Sequence, residues 1–196
     1  MDMRRPLGPD SVRSTPADWP RAGYGASIAE IVAQARTGQP DALSALYTEY
    51  AGDLLRLATR LLGSHHDAED VVHDLFVGLP ERLTRYQEAG AFRPWVRALI
   101  VGLARMHLRR DSRHGRVMHA DVDVDRFAGS TPEPDTAIDV EQEVARLPER
   151  LRAVFVLKQW EGYSHDEIAL LLGITSGSSR VRHMRALRLL RARLDP

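Results

Sequence analysis

Near its C-terminus the chain carries the side chains best suited to contact a polyanion. Six arginines, and no aspartate or glutamate, occur between Leu170 and Leu194. A solvated basic face is the simplest reading of such a helix, but guanidinium groups also bind phosphates and the acceptor edge of guanine. At 100° per residue the apolar side chains share one arc of the helix and the arginines occupy the rest. The inward arc holds His183, Ala186, Leu187, Leu190 and Leu194, and the residues predicted to contact DNA are Ser178, Arg180, Val181, Arg182, Arg185, Arg188 and Arg191.

The residues before this helix form the pattern of a helix-turn-helix. Ser164 and Glu167 form a capping box that begins a short helix, and Gly173 ends that helix. Thr175 or Ser176 can then cap the second helix. In a helix-turn-helix the second helix enters the major groove by its N-terminal end. We therefore predict that the first two turns reach base edges through Ser178, Val181, Arg182 and Arg185, whereas Arg188 and Arg191 contact phosphates.

A second set of side chains with chemical potential lies in the N-terminal half. His65, Glu69 and His73 stand at helical positions i, i+4 and i+8, a spacing that permits a metal site. The simpler interpretation is that an acid near a helix start suits the helix dipole and that the histidines are incidental. No nucleophile-base order, glycine-rich phosphate loop or paired carboxylate motif occurs. We predict no metal, no cofactor and no enzymatic activity.

The elements that must position these residues are all helices. Ser27 and Glu30 form a capping box at the first helix, Pro40 suits the first turn of the next, and Asp67 can cap a third. A long helix should run from about Phe92 to Arg110. Further helices are predicted at about 137–146, 148–160, 164–172 and 175–193, and no strand pattern occurs. The predicted fold class is all-α, with two small helical domains joined by a flexible acidic linker.

Charge is distributed unevenly along the 196 residues, although 27 basic and 27 acidic side chains balance. Residues 117–149 hold 2 basic and 9 acidic residues, whereas residues 150–196 hold 9 and 4. We predict a disordered extension over 1–26, helical domains over 27–112 and 137–196, and an acidic linker over 113–136. The chain has no cysteine, no apolar run long enough to cross a membrane and no signal-peptide pattern. We expect a cytoplasmic protein without membrane insertion.

Several motifs in this order resemble the bacterial extracytoplasmic-function (ECF) sigma factors. In the second domain they are residues 147–155 (LPERLRAVF), 161–164 (EGYS), 167–169 (EIA) and 172–174 (LGI). In the first domain they are residues 67–72 (DAEDVV), Phe76, residues 92–96 (FRPWV) and 108–110 (LRR). The resemblance covers about residues 41–196. It departs from the usual family pattern at His73, Asp74, Pro80, Gly102 and Met106, and Pro80 is expected to bend or restart its helix.

The resemblance implies an alternative sigma factor that binds core RNA polymerase and directs promoter recognition, DNA melting and transcription initiation. The first domain would be sigma region 2, which docks on the polymerase and opens the minus-ten element. The second would be sigma region 4, which holds the minus-thirty-five element, and an anti-sigma factor is a further partner that the family allows. The resemblance assigns polymerase binding to Asp70, His73, Asp74 and Phe76, and minus-ten DNA binding to Tyr86, Phe92, Trp95, Arg105, Arg109 and Arg110.

A free-standing helix-turn-helix transcriptional regulator is the alternative. It would account for residues 148–194 but would leave the first domain without a role, because the helical pattern at 41–110 offers neither a ligand pocket nor a phosphoacceptor. Co-elution with core RNA polymerase would distinguish the two.

Overall fold

The computed structural model describes residues 27–87, 92–114 and 140–194, with side chains except at 111–114, and every regular element within them is helical. The predicted extension over 1–26 and the predicted linker from 115 onward lie outside the described residues. The N-terminal half holds α1 (Ile28–Arg36), α2 (Pro40–Leu62), α3 (His65–Val77), α4 (Leu79–Leu83) and α5 (Phe92–His114). The C-terminal half holds α6 (Val140–Ala145), α7 (Glu149–Phe155), α8 (His165–Leu172) and α9 (Ser176–Leu194).

Helix α2 is the centre of the N-terminal half. Pro40 occupies its first turn and Gly63, in the left-handed conformation with φ of 71°, ends it. Its apolar stripe is buried against α1, α3 and α5, with Leu54, Leu57 and Leu61 almost fully excluded from solvent. Because these long helices share one core, they hold α3 and α5 at fixed positions on its surface.

Three helix boundaries in this half test the sequence prediction. The cap of α3 is Ser64, whose hydroxyl accepts from the backbone N–H of Asp67, so the prediction that Asp67 caps the helix is wrong. Asp67 instead lies in the first turn, where its charge suits the helix dipole. Pro80 does restart the helix, since α3 ends at Val77 and α4 begins at Leu79. Helix α5 continues to His114, into the first residues assigned to the linker.

In the C-terminal half, α8 and α9 form the predicted helix-turn-helix. The capping box of Ser164 and Glu167 is present, and Gly173 ends α8 with φ of 62°. Thr175 is the residue that caps α9, because its hydroxyl accepts from the N–H of Ser178 at 3.1 Å. The helix predicted at 148–160 is two elements, α7 and a π-helical segment, Val156–Trp160, that follows it without a break.

The two halves pack against each other through one continuous apolar core. Helix α2 contacts α6 and α7, and α5 contacts α8. The two predicted helical domains are therefore in direct contact in this conformation. The sequence did not indicate this contact, because amphipathic periodicity shows that a side of a helix is buried without showing which element covers it.

Candidate nucleic-acid and polymerase interfaces

Polar contacts on the inner side of α9 fix the orientation of this helix. Ser179 is fully buried and its hydroxyl lies 2.9 Å from Nδ1 of His165. Nε2 of His183 lies 2.9 Å from the side-chain amide of Gln159. Ala186 and Leu190 are buried one and two turns further along, which is the inward arc predicted from the sequence. Ser179 and His183 are thus inward positions whose polar groups have partners.

The opposite side of α9 is open and basic. Arg180, Arg185, Arg188 and Arg191 are exposed, and none of the four forms an ion pair with a residue in the described ranges. Val181 is 51% exposed on the same side. Ser178 is half-buried near the helix start, where its hydroxyl accepts from that of Thr175 at 2.9 Å. This surface can offer cations to phosphates and a methyl group to thymine.

Arg182 is less exposed than these arginines in this conformation, and its contact with DNA stays a prediction. It is half-buried and lines a cleft with Arg105 and Arg109 of α5. Burial, and secondarily the charge of Arg150, lower the pKa of Arg182. Met184, which was not among the predicted contacts, is 66% exposed and stands three residues after Val181. The sequence signal that could have identified this residue was an apolar side chain among the arginines of the basic arc.

The aromatic residues assigned to minus-ten DNA form part of the core. Phe92 and Tyr86 are 3% and 8% exposed. The ring of Phe92 lies 5.1 Å from that of Tyr50 and 5.7 Å from that of Tyr86. Trp95 is partly buried, 4.8 Å from Tyr86. In this conformation the rings of Tyr86 and Phe92 are buried, so their binding to minus-ten DNA stays a prediction that would require them to become exposed. Their edge-to-face contacts stabilise the junction of α5 with α2.

The basic residues of α5 are divided between surface and core. Arg109 and Arg110 are exposed, as the predicted DNA-binding role requires. Arg105 is half-buried and donates to the carbonyl of Leu171 in α8 at 3.3 Å, and burial, then the charge of Arg109, lower its pKa. Sequence reasoning did not single out Arg97, which is 5% exposed and pairs with both Asp53 and Glu161.

The residues assigned to polymerase binding lie together on α3. Asp70, His73 and Asp74 are exposed. Phe76 is partly buried, and its ring packs edge-on against Tyr47 of α2 at 4.9 Å. Tyr47 and Val77, which the sequence analysis did not include, are 53% and 68% exposed. The result is an acidic surface with an apolar border, a composition suited to a basic and apolar partner helix.

The alternative metal site has no matching geometry. Nε2 of His65 lies 3.5 Å from Glu69, and Nδ1 of His65 lies 3.4 Å from the hydroxyl of Thr59. Across residues 27–87, 92–114 and 140–194, no group of three or more His, Asp and Glu side chains is placed to hold a metal ion. Within the same ranges no helix is both long and apolar enough to cross a membrane.

Comparison with known proteins decides the family. Residues 46–114 match the model of sigma-70 region 2, and residues 138–190 match that of sigma-70 region 4. The ECF RNA polymerase sigma factor SigM of Mycobacterium tuberculosis is 30% identical over 179 residues, which is 89% of this chain and 88% of SigM. The chain belongs to the ECF sigma factors. SigE of Mycolicibacterium smegmatis is 32% identical over 144 residues, 70% of this chain and 55% of SigE.

Two solved structures share the fold of this sigma factor. One is the sigma factor RpoE of Bartonella quintana in complex with the anti-sigma factor NepR, with a TM-score of 0.53, 18% identity, and coverage of 73% of this chain and 90% of that chain. The other is CnrH in complex with the cytosolic domain of CnrY, with a TM-score of 0.52, 23% identity, and coverage of 85% and 96%. The predicted family and all-α fold class are confirmed. The free-standing regulator is not supported, because the half that it leaves without a role matches sigma region 2.

Proposed function

We propose that this ECF sigma factor is a non-catalytic, dissociable subunit of RNA polymerase that works through three surfaces. The α3 surface (Asp70, His73, Asp74 and Phe76) would bind core polymerase in the cytoplasm. The exposed side of α9 would hold the minus-thirty-five element, and Arg109 and Arg110 on α5 would contact DNA at the minus-ten element.

The observation that best supports the proposal is the open basic side of α9 within a chain of zero net charge. Arg185, Arg188 and Arg191 are exposed on a helix whose other side is fixed by Ser179 and Ala186. The chain as a whole has 27 basic and 27 acidic residues, so it lacks the overall positive charge that gives strong DNA binding alone. Weak binding to free duplex and strong binding within a polymerase complex are therefore expected.

Transcription in vitro tests this function. The full chain is added to core RNA polymerase over a pool of genomic promoters, and transcript starts are mapped. Starts that depend on the chain and share one upstream motif would support the proposal. Nanomolar binding of the free chain to one duplex at physiological salt, without any effect on core polymerase, would contradict it and favour a free-standing regulator.

The docking surface has its own test. Asp74 is an exposed carboxylate that we propose meets a basic surface of core polymerase. Asp74→Arg would place a cation against that surface, and such like-charge contact costs several kcal/mol of binding free energy. We expect the variant to lose co-purification with core polymerase while keeping the parent melting temperature. Asp41→Arg is the matched control, because Asp41 is an exposed carboxylate on α2. Equal retention of both variants by core polymerase would refute the α3 assignment.

An anti-sigma factor remains a proposed partner. RpoE of Bartonella quintana and CnrH were each solved with a protein partner, NepR and CnrY. An anti-sigma factor that bound this chain in a similar way would compete with core polymerase for it. To test this, the tagged full chain is used in a pull-down from cell lysate without added core polymerase. The captured protein is then tested for inhibition of transcription by the chain and core polymerase.

A further inference from the structure

A cleft of about 240 Å³ lies between α5 and the C-terminal helices, and its inner wall is aliphatic. Val101, Ala104 and Leu108 of α5 line it on one side, and Ala153 of α7 and Ile174, in the turn before α9, line it on the other. Within the described residues no aromatic ring lines this cleft. The wall therefore suits an aliphatic chain better than a nucleobase, because its side chains offer neither a ring face nor a hydrogen-bonding group.

Four arginines surround this aliphatic wall. Arg105 and Arg109 come from α5, Arg150 comes from α7 and Arg182 comes from α9. Arg105 and Arg182 are half-buried, whereas Arg109 and Arg150 are exposed. Glu149 is the one carboxylate that lines the cleft in the part of the chain that the structure describes. Such an excess of cations in a partly enclosed site attracts an anion.

The four cations repel one another in pairs. Burial, and then the charge of Arg109, lower the pKa of Arg105. Burial, and then the charge of Arg150, lower the pKa of Arg182. Arginine stays protonated at neutral pH despite such shifts, so the repulsion persists. An anion placed between these guanidinium groups would offset it.

The guanidinium groups also have donors to spare. Nη1 of Arg105 donates to the carbonyl of Leu171 at 3.3 Å, whereas its buried Nε has no hydrogen-bond partner within the described residues. Arg150 and Arg182 form no ion pair with a residue in the same ranges. A guanidinium presents its N–H groups as a fork that matches two oxygens of a carboxylate or a phosphate. The cleft thus combines an aliphatic wall with unused donors for an anionic head group.

We propose that this cleft is a binding site for one small amphipathic anion, with its aliphatic chain against α5 and its carboxylate or phosphate held by Arg105, Arg150 and Arg182. A single soluble molecule is the occupant that fits, because a cleft walled by helices on both sides admits one chain but cannot lie on a bilayer surface. Arg109 and Arg182 are also among the proposed DNA contacts, but the site does not depend on that function.

Calorimetric titration of the full chain tests the site with five probes, each kept below the concentration at which it forms micelles. Octyl phosphate and octanoate carry both features of the proposed ligand. Inorganic phosphate lacks the chain, adenosine monophosphate replaces the chain by a nucleoside, and octylamine has a cationic head. We expect the first two to bind one molecule per chain, and the other three to bind at least about tenfold more weakly, because each loses either the burial of the chain or the charge-assisted hydrogen bonds.

Two substitutions place the ligand in the cleft. Arg182→Met removes a head-group contact and keeps the aliphatic stem, and Arg188→Met is its matched control, an exposed arginine of the same helix that does not line the cleft. Arg182→Met should weaken octyl phosphate by about tenfold, whereas Arg188→Met should leave its affinity unchanged. Ala104→Leu fills the aliphatic wall and should weaken the same probe, whereas Ala33→Leu, at an exposed position of α1, should not.

Several results would overturn the proposal. Absence of binding by octyl phosphate and octanoate would do so, as would equal affinities of the Arg182→Met and Arg188→Met variants. Equal binding of inorganic phosphate, adenosine monophosphate or octylamine would show that the site does not select an amphipathic anion. Sedimentation of the parent chain with phosphatidylglycerol vesicles, lost in Arg182→Met, would assign the head group to a membrane lipid instead. If Ala104→Leu fails to fold, judged by its circular dichroism melt, the arginine pair decides the test.

Discussion

Helices α5 and α9 both carry several arginines, but they use them in opposite ways. On α9, Arg185, Arg188 and Arg191 are exposed and form no ion pair within the described residues. On α5, Arg97 is buried between two carboxylates, and Arg105 is half-buried against a backbone carbonyl of α8. The exposed arginines of α9 are proposed to contact DNA, as are Arg109 and Arg110 near the end of α5, whereas Arg97 and Arg105 of α5 link parts of the protein to each other.

The difference follows from what surrounds each helix. Helix α5 lies between α2, α3 and α8, so most of its circumference meets another helix, and its arginines meet Asp53, Glu161 and Leu171. Helix α9 meets α6, α7 and α8, and the buried residues of its contacting side include Ala186 and Leu190. An arginine count therefore indicates nucleic-acid binding only where the arginines face solvent.

The largest expected effect tests the internal use of arginine. Arg97→Met removes the ion-pair partner of the mostly buried Glu161 and leaves Asp53 with Arg56 and Arg93, and an unpaired buried charge costs about 3–5 kcal/mol. We expect the free energy of urea unfolding to fall by that amount. Arg188→Met, at an exposed position, should change it by less than about 0.5 kcal/mol. Equal effects at the two sites would break the comparison.

A smaller effect concerns base recognition by α9. Arg185→Ala should cost about 1–3 kcal/mol on the preferred minus-thirty-five sequence and relax preference at one or two base pairs, because a guanidinium fork reads guanine. Arg182→Ala should have the same effect if α9 is freed from α5 in the holoenzyme. The measurement is promoter selection with each variant bound to core polymerase. A motif that is unchanged by Arg185→Ala would show that another side of α9 enters the groove.

Acid pH should destabilise the C-terminal half. Burial lowers the pKa of His165 and of His183, and nearby Lys158 adds to both shifts. The unfolded chain therefore takes up protons on these residues at a higher pH than the folded chain. Stability is present above the ordinary histidine pKa of about 6.5 and is lost as the pH falls through the lowered folded values.

The check compares thermal melts at neutral pH and below pH 6. The fall in melting temperature should shrink in a His165→Gln, His183→Gln double variant and remain in His66→Gln, an exposed site on α3. A parent melting temperature independent of pH in this range would contradict the prediction. The contrast sharpens the comparison of the halves, because histidines on α3 lie among acids, whereas Lys158 lies near both His165 of α8 and His183 of α9.

The smallest effect concerns phosphate contact. Arg191 is exposed well beyond the first turns of α9, where the backbone flanking the groove is within reach. Arg191→Ala should weaken binding to all sequences about equally and lower the salt slope by about one ion. Promoter binding by the holoenzyme at two salt concentrations measures the slope. A shift in the selected motif would instead place Arg191 at a base edge.

The sequence alone determined most of the helices, several of their caps and the family. Periodicity and capping are local properties, so Ser164, Gly173 and the inward arc of α9 were predictable from residue types within a few turns. The motifs that resemble ECF sigma factors were also contiguous in the chain, and comparison with known proteins confirmed the family.

Only the tertiary structure decided which surfaces are free. Tyr86 and Phe92 are buried because α5 packs on α2, and Arg182 faces a cleft because α8 packs on α5. The angle of a side chain around its helix follows from its position in the sequence, but the neighbour it meets depends on contacts between residues far apart in the chain. Arg152 shows the limit most clearly, because its partners, the carbonyls of Leu61 and Leu62, are backbone groups that every sequence has.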